Sequence, residues 1–151
     1  DKEGAADYPD YRKLSADLLF KWNGFSLLAE YVNATANGLN GLYVEKDEGA
    51  KLKPRQIANY LALGNGLNVQ AGYLFRKLWA LDVAYSKVNP EWKETGQSVL
   101  READNITFGA SKYFNNNTFK LQLAGSYTSY NQLVGAGSKE FQVKLNLHIL
   151  F

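Results

Sequence analysis

The chain has 151 residues and a formal net charge of +2 at pH 7. A charge this small predicts neither a nucleic-acid partner nor an electrostatic membrane anchor. The chain contains no cysteine and a single histidine, His148, so disulfides and thiol chemistry are excluded and a histidine metal site has little to build on. We therefore expect no enzyme activity, metal or cofactor.

Seven stretches alternate apolar with polar residues at a period of two, which is typical of β-strands with one apolar face. In chain order they cover residues 14–22, 25–32, 67–76, 79–86, 106–111, 119–127 and 141–151. We interpret them as strands of roughly ten residues, the length that a tilted strand needs to cross a bilayer. No apolar run approaches the roughly 20 residues of a membrane-spanning helix. The chain is therefore predicted to be all-β.

The connections between these stretches alternate between short and long. Short turns are predicted at Asn23-Gly24, at Arg76-Lys77 and at 115–117, and long loops at 33–66, 89–104 and 130–139. Outer-membrane barrels of Gram-negative bacteria place their short turns on the periplasmic side and their long loops outside the cell. The pattern predicts one antiparallel transmembrane β-barrel domain, or part of one, over residues 1–151 in the outer membrane.

Aromatic residues gather beside the predicted short turns. We interpret them as an interfacial girdle, although aromatic residues also favour strands in general. This predicted girdle consists of Trp22, Phe25, Tyr73, Phe75, Trp79, Phe114 and Phe119. Lys87 and Lys112 fall on the same face near strand ends, where they are expected either to reach the interface or to mark a bulge.

If the apolar face meets lipid, the opposite face lines a pore. The candidate pore-lining residues are Asp17, Lys21, Glu30, Arg76, Asp82, Lys120, Lys144 and His148. Their mixed charges favour an ordinary solvated wall, and the alternative is a weak preference for anions through Lys120 and Lys144. The basic cluster of Lys51, Lys53 and Arg55 is interpreted as a surface loop, the alternative being a loop that narrows the pore.

Seven strands are an odd number, whereas closed bacterial single-chain barrels have an even number. A free strand edge would leave backbone N–H and C=O groups without partners in lipid. We favour the interpretation that the chain is the C-terminal part of a larger barrel. The alternative is a complete barrel of eight strands, with the eighth strand at 40–44 or at 57–63.

Five segments resemble the C-terminal region of phosphate-selective porins of the O and P type. They are GFSLLAEYV at 24–32, NVQAGYLFRKLWALDVAYSKV at 68–88, DNITFGASKYF at 104–114, TFKLQLAGS at 118–126 and FQVKLNLHILF at 141–151. The resemblance implies a sixteen-stranded, usually trimeric, water-filled channel that admits anions such as phosphate. The terminal Phe151 is similar to the sorting signal that the barrel-assembly machinery reads. The family's selectivity residues lie in earlier strands and cannot be matched here.

The leading functional prediction is a porin that lets small hydrophilic solutes or anions diffuse across the outer membrane, in contact with lipid and lipopolysaccharide. A second interpretation is a small anchor or adhesin barrel whose interior is filled by side chains. A third is an accessory barrel of a larger outer-membrane complex, without a conducting pore. A fourth is a soluble all-β binding module, which would require the apolar face to point inward.

Overall fold

The computed structural model describes residues 10–37, 62–76, 78–91, 101–114, 119–131 and 137–149. Within these ranges the chain forms seven strands of 12 or 13 residues and no helix. The strands are β1 (Asp10–Trp22), β2 (Phe25–Asn37), β3 (Gly64–Phe75), β4 (Trp79–Pro90), β5 (Ala103–Phe114), β6 (Phe119–Tyr130) and β7 (Ser138–Ile149). The all-β prediction is confirmed.

Several strands run further toward the long connections than the hydropathy pattern predicts. The backbone ladder continues there through polar residues, because ladder hydrogen bonds do not depend on side-chain hydropathy. At Asn65, for example, the partner is Asn89, whose Nδ2 donates to Asn65 Oδ1 at 2.9 Å. Alternation of apolar residues therefore marks the middle of each strand and misses its polar end.

The strands form one antiparallel sheet in sequence order, from β1 to β7, and each strand pairs with its neighbours in the chain. Across the described residues β1 and β7 are edges that do not pair with each other, so the sheet is open. The candidate strand at 40–44 and most of the one at 57–63 lie outside the described residues. Ala62 and Leu63, the described part of the second candidate, are not in a strand.

Two of the three predicted tight turns can be described. Asn23 and Gly24 adopt positive φ angles of 45° and 87° between the paired residues Trp22 and Phe25, which confirms the two-residue hairpin. The next turn is longer than predicted, because three residues separate Phe75 from Trp79. Leu78 belongs to this turn and donates its N–H to Phe75 O at 2.9 Å. The predicted strands ended at Arg76 and began at Trp79, so Leu78 was assigned to neither a strand nor the turn, and Arg76 belongs to the turn alone. The four residues 115–118 of the third connection lie outside the described residues.

The register shifts steadily across the sheet. One row of paired residues runs through Trp22, Phe25, Tyr73, Leu81, Ala110, Leu123 and Leu145. The β1–β2 turn begins directly after this row. However, β3 continues two residues beyond the row to Phe75, and β5 continues four residues beyond it to Phe114. Each hairpin is therefore displaced by two residues from the one before it.

The pairing divides the side chains into two continuous faces. The apolar face takes its residues from all seven strands, and large side chains on it are exposed, for example Leu81 (53%), Phe108 (60%) and Leu145 (68%). The polar face carries the residues between them. In β4, Leu81, Val83 and Tyr85 of the apolar face are exposed, while Asp82 on the polar face is half-buried.

This difference in exposure, which holds along β4–β6 while the edge strands β1 and β7 are exposed on both faces, indicates that the sheet curves toward its polar face. An uncovered flat sheet would expose both faces alike, whereas curvature crowds the side chains on the inner side and spreads them on the outer side. In the described part of the chain, the buried apolar residues are Ala34, Leu63 and Ala80, all but Leu63 small. An inward-packed hydrophobic core is therefore absent from that part.

Candidate lumen surface

The polar face is built in rows that follow the strand pairing. In one row, Asp17 of β1 lies opposite Glu30 of β2, and Glu30 lies opposite Asn68 of β3. Asn68 Nδ2 donates to Glu30 Oε2 at 2.7 Å, a charge-assisted hydrogen bond. Asp17 and Glu30, two of the candidate pore-lining residues, are thus brought together as a carboxylate pair midway along the edge strand β1 and its neighbour β2.

A second row places glycines on both sides of Asp82. It runs from Lys21 through Ser26, Gly72, Asp82, Gly109 and Ala124 to Lys144. A Cβ built on Gly72 would overlap Asp82 Oδ1 and lie 3.1 Å from Ser26 Oγ. The Asp82 carboxylate therefore leans over Gly72, and only glycine leaves room for it there.

The second row borders a cavity of about 570 Å³ at the short-turn end of the polar face. Lys21 of β1, Asp82 of β4 and Lys120 of β6 all line this cavity, together with the amides of Gln70 and Gln122. Strands β1 and β6 are five positions apart in the sheet. Side chains from both can line one cavity only because the sheet curves. The cavity collects two cations and one anion predicted from the sequence.

The other predicted residues are distributed along the same face and its end. Lys120 is the register partner of His148 on the exposed edge strand β7, and Lys144 lies on the same strand. Lys120 Nζ lies 5.3 Å from the centre of the Tyr113 ring. Arg76 follows the last residue of β3, has a φ of 45° and is exposed in the turn. It is therefore separated from the charged rows.

Neutral polar side chains also form part of this face, and the sequence prediction missed them. Asn105 Nδ2 donates to Thr128 Oγ1 at 2.7 Å, and Thr107 Oγ1 donates to Asn105 Oδ1 at 3.0 Å. Like the charged residues, they alternate with apolar residues along their strands. This alternation could have predicted that they lie on the polar face. The prediction selected charged residues only, so it missed the neutral hydrogen-bonding side chains that lie between them.

The predicted girdle residues all lie on the apolar face near the short turns. Their rings meet in pairs across or along the strands: Tyr73 and Phe75 have centroids 4.6 Å apart, and Phe114 and Phe119 have centroids 5.1 Å apart. Trp22 is 70% exposed and sits at the end of β1, where it pairs with Phe25. The seven residues therefore form a band along one margin of this face.

Lys87 and Lys112 lie at opposite margins of the apolar face, and the register runs through both without a bulge. Lys112 Nζ lies 4.3 Å from the centre of the Trp79 ring at the short-turn margin. Lys87 Nζ lies 3.5 Å from Asp104 Oδ1 at the long-loop margin, and Tyr85 donates its hydroxyl to the same carboxylate oxygen at 2.7 Å. The bulge alternative is therefore wrong for both lysines.

The loop cluster of Lys51, Lys53 and Arg55 and the terminal Phe151 lie outside the described residues. Within the described strands and turns, no three acidic or histidine side chains come together as metal ligands. No helix in that same part of the chain has the length and apolarity to span a membrane.

The comparisons with known proteins found nothing similar. No protein-family model matches the chain, and no curated protein or solved structure matches it either.

Proposed function

We propose that the chain is part of an outer-membrane β-barrel porin, in which the apolar face meets lipid and the polar face lines a water-filled channel. The channel passes small hydrophilic solutes, including anions such as phosphate, by diffusion. The observation that carries this proposal is the exposed apolar face that continues across all seven strands. A contiguous apolar surface of this extent is unfavourable in water and suits a hydrocarbon environment.

The dimensions of the sheet support the same proposal. In β7 the apolar row from Phe141 to Ile149 spans nine residues, which is about 27 Å along the strand at roughly 3.4 Å per residue. The register shifts by two residues, about 7 Å, for every two strands, which are about 10 Å wide. If the hairpin turns lie at one level in the membrane, this shift corresponds to a strand tilt of about 35° from the barrel axis. Tilts of about 35–45° and an apolar band about 25 Å tall are typical of transmembrane barrels.

The open edges indicate that the proposed barrel needs further strands. The outer backbone groups of β1 and β7 have no strand partner within the described residues. Such groups must be satisfied inside a bilayer, since each unsatisfied group costs several kcal/mol there. We propose that additional strands close the barrel. A sixteen-stranded trimer and insertion by the barrel-assembly machinery are part of this proposal through the resemblance to the porin family.

A second candidate is supported by the cavity on the polar face. Lys21 and Lys120 line one cavity of about 570 Å³ although their strands are five positions apart. Strong curvature of this kind favours a narrow barrel, closed by one added strand and filled by side chains. Such a barrel acts as an anchor, an adhesin or an accessory subunit of a larger complex and conducts no ions.

Planar-bilayer recording of the full-length protein, purified from outer membranes, separates the two candidates. The porin gives stepwise conductance increments, whereas the narrow barrel inserts without them. Inserted protein that never conducts contradicts the porin proposal and supports the narrow barrel. Heat-modifiable migration on electrophoresis confirms that the protein tested is folded.

A matched pair of double variants tests which face lines the channel. Lys120→Gln with Lys144→Gln removes two charges from the polar face, and Lys87→Gln with Lys112→Gln removes two from the apolar face. In a salt gradient we expect the first pair to move the reversal potential toward cation preference, because charges that line a pore tune its selectivity. The second pair is expected to leave it unchanged. The opposite pattern contradicts the assignment of the two faces.

A further inference from the structure

A groove of about 530 Å³ crosses the apolar face over β3–β6. Small residues, Ala71, Ala110 and Gly125, lie low among larger neighbours and form its floor. The side chains of Tyr73, Leu81 and Phe108 form its walls. The volume falls within the roughly 300–1,000 Å³ of ordinary ligand pockets, and the lining is predominantly apolar.

A cation, Lys112, lies beside this groove without lining it. Lys112 follows the floor residue Ala110 by two positions on the same face, about 7 Å further along the strand. Its ammonium lies 4.3 Å from the centre of the Trp79 ring and 5.2 Å from that of Phe114. The aromatic rings hold the ammonium by cation–π attraction at the margin of the apolar face.

The charge on Lys112 is not neutralised by another side chain in the described strands. The ion pairs found there join Arg12 to Asp10 and Lys87 to Asp104. At the opposite margin Lys87 has its carboxylate partner, but Lys112 has none within 4 Å among the described residues. An apolar groove with an uncompensated ammonium two strand positions beyond its floor complements a molecule with a hydrocarbon tail and an anionic head.

We propose that this groove binds one acyl chain of an anionic phospholipid, whose phosphate lies against Lys112. The inference rests on the proposed membrane position of the apolar face. Under that proposal hydrocarbon surrounds the groove, and Trp79 and Lys112 lie at headgroup level beside the short turns. A zwitterionic lipid fills the groove equally well but gains less from the single cation. The site therefore selects by headgroup charge.

The natural tryptophan beside Lys112 provides the test. A version of the full-length protein that keeps Trp79 and has every other tryptophan replaced by phenylalanine is reconstituted into vesicles of phosphatidylcholine. A small fraction of either phosphatidylglycerol or phosphatidylcholine with brominated acyl chains is added, and bromine quenching of Trp79 fluorescence is measured. We expect brominated phosphatidylglycerol to associate about fivefold more strongly than brominated phosphatidylcholine, the effect of one lysine near a membrane surface.

Four variants test which residues produce the preference for phosphatidylglycerol over phosphatidylcholine. Lys112→Gln is expected to abolish it, and Lys112→Arg is expected to retain it because the charge is kept. Lys87→Gln, at the opposite margin of the same face, serves as the matched control and leaves it unchanged. Gly125→Leu fills the groove and lowers quenching by both brominated lipids. A Cβ at Gly125 meets only the Phe141 ring, at 4.0 Å, so the substitution begins from an open backbone position.

The possible failures are distinguishable. Equal quenching by the two lipids in the unmodified site, or a preference that survives Lys112→Gln, overturns the lipid site while leaving the membrane-embedded face intact. Trp79 that neither brominated lipid quenches, in protein that is reconstituted and folded, overturns the membrane position of the apolar face and with it the proposed function.

Discussion

The two faces of the sheet share one backbone and differ in almost every other respect. Leu123 and Gln122 are neighbours in β6, yet Leu123 is 52% exposed on the apolar face and Gln122 lines the cavity on the polar face. In a water-soluble β-protein the apolar face is covered by a second layer. Along β4–β6 the large side chains spread on the outside of the curve and the polar groups crowd inside, as expected if the outer face meets lipid as proposed.

The largest difference between the faces is expected from an added charge. We expect Leu123→Arg to destabilise the folded protein in lipid by about 2–4 kcal/mol, because this position lies in the middle of the proposed lipid-facing band. Gln122→Arg, the matched control one residue away, should have a far smaller effect, because its side chain lies on the proposed aqueous face. Urea unfolding of the reconstituted protein, followed by tryptophan fluorescence, measures both. Equal destabilisation would contradict the assignment of faces.

A smaller effect is expected from crowding the polar face. Gly72→Val places a Cβ against Asp82 Oδ1 and Ser26 Oγ, and overpacking of this kind typically costs about 1–3 kcal/mol. Gly66→Val in the same strand is the control, because its Cβ meets only Lys87 O, at 3.9 Å. Adding Asp82→Ala to Gly72→Val should recover much of the lost stability in a double-mutant cycle. No recovery would mean that Asp82 is not the obstructing group.

The smallest effect is expected at the long-loop margin of the apolar face. Lys87→Gln removes the ion pair with Asp104, whose side chains are 39% and 38% exposed. Exposed ion pairs contribute little, so the urea midpoint should stay within experimental scatter of the parent protein. This expected contrast with Leu123→Arg distinguishes the margin from the middle of the proposed lipid-facing band. A large loss of stability in Lys87→Gln would show that the margin is dry and buried, contrary to the proposed interface.

The sequence predicted the strands well where side chains alternate and poorly where they do not. Phe141 to Ile149 shows period two along its whole length, so β7 was located directly, whereas the polar ends of β2 and β3 near Asn37 and Gly64 carry no such signal. Leu78 was left out of the predicted Arg76-Lys77 turn because an apolar side chain carries no turn signal. Local pattern specifies which face a residue joins, but backbone pairing decides where the ladder stops.

The polar face shows the same division. The alternation of side chains along each strand was enough to place Asp17, Lys21 and Asp82 on one face of the sheet. Their grouping could not be predicted, because it depends on the register between strands and on the curvature. The opposition of Asp17 and Glu30 and the common cavity of Lys21 and Lys120 both arise from strand pairing. The alternation of residues in the sequence also does not reveal which face lies on the convex side of the sheet. That assignment comes from the difference in side-chain exposure between the two faces.

Site-directed spin labelling along β6 tests the central claim most directly. The 151 residues contain no cysteine, so single cysteines can be introduced at each position from 120 to 127 and labelled with a nitroxide in the reconstituted full-length protein. We predict that relaxation by oxygen, which concentrates in lipid, is strongest at Leu121, Leu123, Gly125 and Tyr127. Relaxation by a water-soluble nickel complex should instead be strongest at the positions between them. The reverse alternation, or labels at Leu121 and Leu123 shielded from both reagents, would contradict the account.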